Sequence, residues 1–491
     1  MDLAVEIIRV AKELISSPQE KEVERLMRAF LKGTPFANKV FAAGGYVRDE
    51  VLGLPAKDLD MVVEMRDGAQ KLTKAIYRAF PGQVSRPRQM RNYPIWVVSF
   101  KEDITYEGED YGTRGAEIEV ADTQSESFPD EESRQRLTEY GDLGQDVERR
   151  DFTVNMLMKD LTSGEVKDLT GTSVQDIKKG VLRGHPGVDF VKILNDDPLR
   201  MMRLVRFQAK YGWDVPMSVM KDVRKTSKRI QIVSAERVRD ELIKIMKLGK
   251  LGKAVRFMKA LGLLRYVMPE IQALSGTQQD KSRGIHQEGD VLRHTLLVLK
   301  NAKAGVESQM AALLHDVGKP ATQNVMGDLI RFIGHEKVGG EIAEAIMRRL
   351  KFDRSTVKKV RRMVENHMRP HDLSRGEVGK KALRKFVRNV GEETVDAVLD
   401  LAEADALGNL PPENEIPRLR EMIEDARKVP IEVKAPLNGN EIKDILGIGS
   451  GPEVGEAVQF LMDKMDDYAA RGEVMSKDEA RKLLLDEFGG V

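Results

Sequence analysis

The sequence predicts an α+β protein, with a small mixed sheet near the front and an elongated, all-helical remainder. Three observations carry this. Short apolar runs bounded by glycine or proline cluster between residues 39 and 100. Apolar positions at helical spacing take over after about residue 187. The chain has 491 residues, too many for one compact core, so several domains are expected.

Composition removes several classes. Hydrophobic residues at 41% and charged residues at 32% are ordinary for a folded, water-exposed protein. No apolar run approaches the length that spans a bilayer, and Met1–Glu6 has neither a basic start nor an arginine-rich transit pattern. A cytoplasmic setting and no membrane partner are therefore expected. There is no cysteine, so disulfides and thiolate metal sites are excluded and any metal must sit on His, Asp or Glu. Net charge is only +1, yet residues 221–261 carry Lys221, Arg224, Lys225, Lys228, Arg229, Arg237, Arg239, Lys244, Lys247, Lys250 and Lys253. Alone, that run reads as a solvated helical surface. Beside a nucleic-acid site it becomes a phosphate-tracking surface.

Leu3, Ile7, Val10 and Leu14 have helical spacing and a second charged helix follows, so residues 1–33 read as a helical preface. Lys39–Ala43, Leu59–Glu64 and Ile95–Phe100 read as strands. Residues 129–143 lack periodicity and read as a mobile loop, and the prolines within 409–417 punctuate the chain before a last helical segment.

Gly44-Gly45-Tyr46-Val47-Arg48-Asp49 follows the first strand and opens a helix. Two glycines let backbone approach an anion, and Arg48 adds a fork of donors suited to a triphosphate. Ten residues on, Asp58-Leu59-Asp60 alternates. On a strand both carboxylates face one side while Leu59 faces the core, and two adjacent carboxylates suit Mg²⁺. These residues resemble the head signature of class II tRNA nucleotidyltransferases and bacterial poly(A) polymerases. Ile118–Asp122 falls where that family carries a third carboxylate, making Glu119 the candidate, although Asp is commoner there and an expected Arg is replaced by Gln124.

The segment 146–155, Asp-Val-Glu-Arg-Arg-Asp-Phe-Thr-Val-Asn, resembles the family hinge that contacts the incoming nucleotide. Its pairs Asp146/Arg150 and Asp151/Asn155 have the i,i+4 spacing of one helix face. Asp196-Asp197-Pro198-Leu199-Arg200 then begins a helix, with Asp197 as expected N-cap and Pro198 at the first helical position. A carboxylate accepts from the exocyclic amine of C or A and a guanidinium donates to ring acceptors, so Asp197 with Arg200 could select C and A. The segment resembles the family's base-selecting motif. By the same match Arg203 and Arg206 on the following helix join Gly44, Gly45, Arg48, Arg150, Asp151 and Asn155 as nucleotide-binding residues.

Six of seven histidines fall between 286 and 371. Imidazoles and carboxylates on separate helices can enclose one or two divalent metals. Ala311–Lys319, with His315-Asp316 at its centre, resembles the HD phosphohydrolase domain. That match implies His294, His315, Asp316 and Asp405 as metal ligands, with His335 and His367 completing the set, and leaves His286 and His371 unassigned. Residues 437–455 resemble the end of long bacterial tRNA nucleotidyltransferases.

The resemblance implies an N-terminal helical extension (1–37), a nucleotidyltransferase head (38–186), a helical neck (187–273), an HD domain (274–410) and a helical tail (411–491). The implied activity is addition of C, C and A to a tRNA 3′ end from CTP and ATP. Asp58, Asp60 and Glu119 would be catalytic, with Mg²⁺ in the head. A second divalent metal (Mg²⁺, Mn²⁺, Ni²⁺ or Co²⁺) would sit in the HD domain, which could add a phosphatase or phosphodiesterase activity. The alternatives are a poly(A) polymerase, an enzyme adding only CC or only A, and an HD phosphohydrolase whose head merely holds RNA.

Overall fold

A computed structural model describes residues 18–56, 58–90, 94–127, 137–279, 289–326, 329–376, 378–409, 414–428 and 435–489. The chain divides into two compact units, Met1–Val233 and Ser234–Val491. The division falls inside the segment 187–273 that the sequence reads as one neck.

The first unit is built on a seven-stranded mixed sheet. Its strands are β1 (Val40–Ala43), β2 (Asp60–Val63), β3 (Arg88–Gln89), β4 (Ile95–Ser99), β7 (Glu117–Asp122), β10 (Met158–Asp160) and β11 (Val166–Lys167). They lie in the order β11-β10-β1-β2-β7-β4-β3. Two hairpins flank the sheet: β5 (Ile104–Tyr106) with β6 (Glu109–Tyr111), and β8 (Gln124–Ser127) with β9 (Leu137–Tyr140). The β2–β7 pair is parallel and the other main-sheet pairs are antiparallel. All four residues of β1 are buried, which is why its sequence is a continuous apolar run rather than an alternation. The three strands expected from sequence are present within a residue at each end. Leu137–Tyr140, expected as loop, is a strand because Gln124–Ser127 pairs with it, a partner that periodicity within 129–143 cannot reveal. Residues 128–136 of that expected loop lie outside the described residues.

Of the helical preface, α1 (Pro18–Leu31) is described. Val23, Leu26, Met27 and Leu31 on its inner face are fully buried, and Phe30 meets Phe80 and Tyr106 at ring-centroid distances of 5.8 and 6.1 Å. Glu24 accepts from the Tyr46 hydroxyl at 2.8 Å and pairs with the buried Lys159 at 2.7 Å. Helix α1 is thus part of the first unit's core. Short helices α2 (Gly45–Val51), α3 (Gly68–Ala79), α4 (Leu143–Glu148) and α5 (Ser173–Lys179) follow, and then α6 (Phe190–Asp196), α7 (Leu199–Tyr211) and α8 (Met217–Thr226).

The second unit begins with α9 (Ala235–Lys247), α10 (Leu251–Ala260), α11 (Leu264–Val267) and α12 (Pro269–Ala273). The histidine-bearing body comprises α13 (Val291–Asn301), α14 (Val306–Leu314), α15 (Lys319–Thr322), α16 (His335–Arg349), α17 (Arg354–Asn366), α18 (Arg369–Ser374), α19 (Lys380–Val390) and α20 (Glu392–Gly408). A hairpin, β12 (Asn324–Met326) with β13 (Leu329–Arg331), interrupts the otherwise helical reading of this half. After α21 (Ile416–Arg427), helices α22 (Gly439–Leu446), α23 (Pro452–Ala470) and α24 (Lys477–Phe488) close around Ile442, Ala457, Leu461, Ala480 and Leu484.

Phe30→Ala removes one ring of the aromatic trio that seats α1. It is expected to destabilise the first unit by about 3 kcal/mol, as large-to-small changes at buried aromatics do. Urea unfolding followed by tyrosine and tryptophan fluorescence measures this. A loss within a few tenths of a kcal/mol would mean that α1 is not part of the folded core.

Candidate functional site

Backbone pairing assembles the head carboxylates. In the parallel β2–β7 ladder Asp60 stands directly opposite Glu119, and Asp58 precedes β2 on the same exposed side while Leu59 is 2% exposed. Solvent reaches the Asp60 side chain, yet the protein packed around its carboxyl, followed by Glu119 and Asp58, pushes it up to about 6, with Arg150 opposing. Burial, Glu117 and Asp58 raise Glu119 as well. Carboxylates that backbone geometry keeps together and whose charge is disfavoured fit a divalent cation.

Beside them Gly44 turns the chain with φ +67°, and a Cβ there would stand 3.5 Å from Arg150 Nη1. Arg48, on α2, is buried rather than reaching into solvent. Its Nη1 donates to Asn155 Oδ1 at 2.7 Å, its Nε to Asp49 at 2.8 Å, and its guanidinium lies 5.3 Å from the Phe207 ring centre. Asn155 donates in turn to Asp151 Oδ1 at 3.0 Å, and Arg203 Nε donates to Asp151 Oδ2 at 2.6 Å. Burial would raise the Asp151 carboxyl, but Arg203 and Asn155 hold it down at about 2. One polar chain, Arg48–Asn155–Asp151–Arg203, thus ties the glycine turn to α7.

The hinge is not one helix. Its α4 ends at Glu148 and residues 153–155 form a separate 3₁₀ turn. Both expected pairs form nevertheless: Arg150 Nη2 to Asp146 at 2.9 Å, and Asn155 to Asp151. Asp146, fully buried, also takes Arg149 at 2.7 Å and the Gln124 backbone N–H at 3.1 Å. Burial alone would raise its pKa, and the two arginines lower it.

At the neck the helix starts one residue later than expected, with Leu199 as its first residue and Pro198 at the cap. Asp197 still accepts the Leu199 N–H at 3.2 Å. Arg200 is buried, donating through Nη1 to Ile193 O and through Nη2 to Arg149 O, both at 2.6 Å. Arg206 lies with its guanidinium 4.3 Å from the Phe207 ring centre. The basic run 221–261 is spread over α8, the 3₁₀ helix Ser227–Ile232, α9 and the start of α10, and is split between the two units.

In the second unit the six expected ligands converge. His294, His315 and Asp405 form one three-ligand group and Asp316, His335 and His367 another, each with its donor atoms within 4.8 Å of one another. The Nδ1 atoms of His315, His335 and His367 face carbonyl oxygens three residues back, at 2.9, 2.8 and 2.7 Å. Those bonds place the proton on Nδ1 and leave the Nε2 lone pairs pointing inward. His335 Nε2 and His367 Nε2 then face each other at 3.3 Å, and His315 Nε2 is buried without a hydrogen bond. Burial and the neighbouring His315 and His335 push His367 down to about 3. Imidazole nitrogens and carboxylates converging in a buried space fit bound cations.

Gly318 makes the assembly possible: a Cβ there would collide with the His335 carbonyl oxygen, so Asp316 and the start of α16 could not approach. Two participants escape the sequence reading. His371 meets Asp405 Oδ2 at 2.9 Å, and Lys319 pairs with Asp316 at 2.7 Å. Lys319 is detectable at i+3 from Asp316; nothing local marks His371. His286 lies outside the described residues. A cavity of about 320 Å³ opens onto the cluster, with Arg331, Phe332 and Arg375 in its wall.

Asp151 titrates near 2 when folded and at ~3.9 when unfolded, so its contribution of roughly 2 kcal/mol is present above about pH 4 and lost as pH falls toward 2. Asp151→Asn should lower neutral-pH stability by a like amount and flatten acid unfolding over that window, read from urea midpoints. An unchanged acid slope would remove Asp151 from the account. Adding Mn²⁺ to metal-stripped protein should raise the Tm of the second unit. The gain is about 2.7 kcal/mol per bound ion at a hundredfold excess over Kd, with two ions expected per chain at this cluster. Asp316→Asn should abolish the second ion, and calorimetry that finds no bound ion would refute the cluster as a metal centre.

Three family models match the chain: the Poly A polymerase head domain over residues 40–183, the probable RNA and SrmB-binding site of polymerase A over 214–274, and the HD domain over 291–410. The CC-adding tRNA nucleotidyltransferase of Thermus thermophilus is 32% identical over 362 residues, covering 71% of this chain and 79% of that protein. The A-adding tRNA nucleotidyltransferase of Deinococcus radiodurans is also 32% identical, over 70% of this chain and 79% of its own length. Among solved structures, the Bacillus stearothermophilus CCA-adding enzyme in complex with CTP superposes with a TM-score of 0.63 at 20% identity, over 96% of this chain and 98% of that one, a likeness of fold. With relatives this similar along most of their length, the chain belongs to the tRNA nucleotidyltransferase family.

Proposed function

We propose that the chain adds C, C and A to the 3′ end of tRNA from CTP and ATP, releasing pyrophosphate. The observation that carries this is the carboxylate group Asp58, Asp60 and Glu119 beside the Gly44–Gly45 turn, joined by one polar chain to the helix that bears Arg200. It is supported by the CC-adding and A-adding relatives and by the CTP complex of the Bacillus enzyme.

Asp58 and Asp60, assisted by Glu119, would hold Mg²⁺. That ion would offset charge on the triphosphate and make the terminal 3′-hydroxyl more acidic. Gly44 and Gly45 leave room for the phosphates, and Arg150, lying against Gly44, faces them. The 3′-oxygen forms its bond to the α-phosphorus as the α-phosphorus–oxygen bond to pyrophosphate breaks, and the hydroxyl proton leaves to solvent. Asp197 accepts from the amine that C and A share, and Arg200 donates to a ring acceptor. Because Arg200 Nη2 is held by the Arg149 carbonyl, the base replaces that carbonyl as acceptor and thereby loosens the hinge. Segments 38–186 and 187–273 would act as head and neck.

A second reading is carried by the two three-ligand groups of the HD segment. There, divalent metal (Mg²⁺, Mn²⁺, Ni²⁺ or Co²⁺) would activate a water for phosphomonoester or phosphodiester hydrolysis. His371 would steady Asp405, and Lys319 and Arg375 would face the phosphate.

The test supplies Mg²⁺, CTP and ATP, separately and together, with tRNAs ending before, within or after CCA. Ordered addition of C, C and A that then stops is expected. Open-ended A addition would make the chain a poly(A) polymerase, and addition of only CC or only A a partial enzyme. Asp58→Ala with Asp60→Ala should cut transfer by more than the roughly 100-fold typical of losing a mere supporting partner of a ligand. Asp197→Ala should narrow discrimination against UTP and GTP by about 1–3 kcal/mol. Transfer surviving both carboxylate losses would refute the site.

A further inference from the structure

We propose that a groove between α16 and α17, whose wall shares no residue with either cluster above, is a docking site for the phosphates of an RNA backbone. The inference rests on the reading of the chain as an enzyme acting on RNA. Between Arg348 and Arg362 the sequence places Arg348, Arg349, Lys351, Arg354, Lys358, Lys359, Arg361 and Arg362 against a single acidic residue, Asp353. The fold gathers five of these cations into the wall of one cavity of about 460 Å³, where only two carboxylates accompany them.

The charge does not cancel locally. Glu344 is occupied by Arg348 and Arg361, Glu365 by Arg361 at 2.6 Å, and Arg362 is turned toward Glu393 at 2.9 Å. Arg354 and Lys358 are exposed and make no hydrogen bond or ion pair among the described residues. Arg361, bridging two carboxylates on different helices, is held in place rather than waving in solvent. The groove therefore presents the uncompensated charge of Arg354 and Lys358 beside an Arg361 held in place by its carboxylates.

Its shape decides the ligand. Arg354, Lys358 and Arg361 stand at i, i+4 and i+7 on α17, one stripe about 10 Å long, while Val360, Met363 and Val364 on the other side are buried. A single phosphate needs donors converging on one point, whereas cations strung along a line match phosphates repeated along a strand. Phe352 and Val357, 8% and 5% exposed, give the groove an apolar floor on which a sugar face can rest. The same helix ends at Asn366, next to the ligand His367, so RNA held here lies along an element of the metal cluster.

Fluorescence anisotropy of labelled tRNA, titrated with the full chain at several KCl concentrations, tests this. Arg354→Glu with Lys358→Glu should weaken binding about tenfold at low salt and reduce the slope of log K against log salt by about 2, one for each phosphate left without its cation. Lys300→Glu with Arg418→Glu makes the same charge change at exposed sites elsewhere in this unit and should leave the slope alone. Circular dichroism checks that both variants are folded. Unchanged affinity and slope in the groove variant overturn the proposal, even if inorganic tripolyphosphate binds there. An equal loss in both variants overturns it too, as mere net charge. Nucleotide addition is assayed alongside: a chain that binds tRNA through the groove but adds no nucleotide would sink the proposed function and leave this inference standing.

Discussion

Like charge held together by backbone is the constraint from which this molecule's chemistry follows. Asp60 and Glu119 cannot separate, because the parallel β2–β7 ladder puts them opposite each other, and Asp58 shares their side. Desolvation first, and then Glu119 and Asp58, raise the Asp60 carboxyl. A divalent cation, as proposed above, would relieve that repulsion. The cost appears as an acidic edge that the neighbouring Arg150 only partly offsets.

The second unit meets the same constraint with lone pairs instead of charge. Carbonyl oxygens facing Nδ1 aim three imidazoles with Nε2 inward, and two of those nitrogens lie 3.3 Å apart. Asp316 and Asp405 balance the cluster. Burial would raise both carboxyls, yet surrounding His315, Lys319, His294 and His371 hold them well below the usual range. Close packing is what permits this convergence, and Gly318 against the start of α16 is its tightest point.

Between glycine turn and neck, the polar chain through Arg48, Asn155, Asp151 and Arg203 solves a different problem. Each member is buried or half-buried, so each must be satisfied by the next. Displacing one end disturbs the other. A network of that kind couples the glycine turn to α7.

Much was legible in the sequence because it depends on short spacing. The strands around Val40, Met61 and Val97, the alternation Asp58-Leu59-Asp60, and the i,i+4 pairs of the hinge all follow from local periodicity, and the structure holds them. Absence of cysteine restricted metal ligands to His, Asp and Glu. What spacing cannot reach is partnership between distant segments. Leu137–Tyr140 became a strand only through Gln124–Ser127, and α1 became core only through Glu24 with Lys159 and Phe30 with Phe80. His371 found Asp405 from 34 residues away. Tertiary packing also seats Arg48 and Arg200 on protein acceptors, contacts that no local spacing reveals. The sequence by itself therefore determined which chemical groups are present and which neighbours share a face. Only the tertiary structure decided which of them meet, because a contact across many residues depends on how the intervening chain is folded.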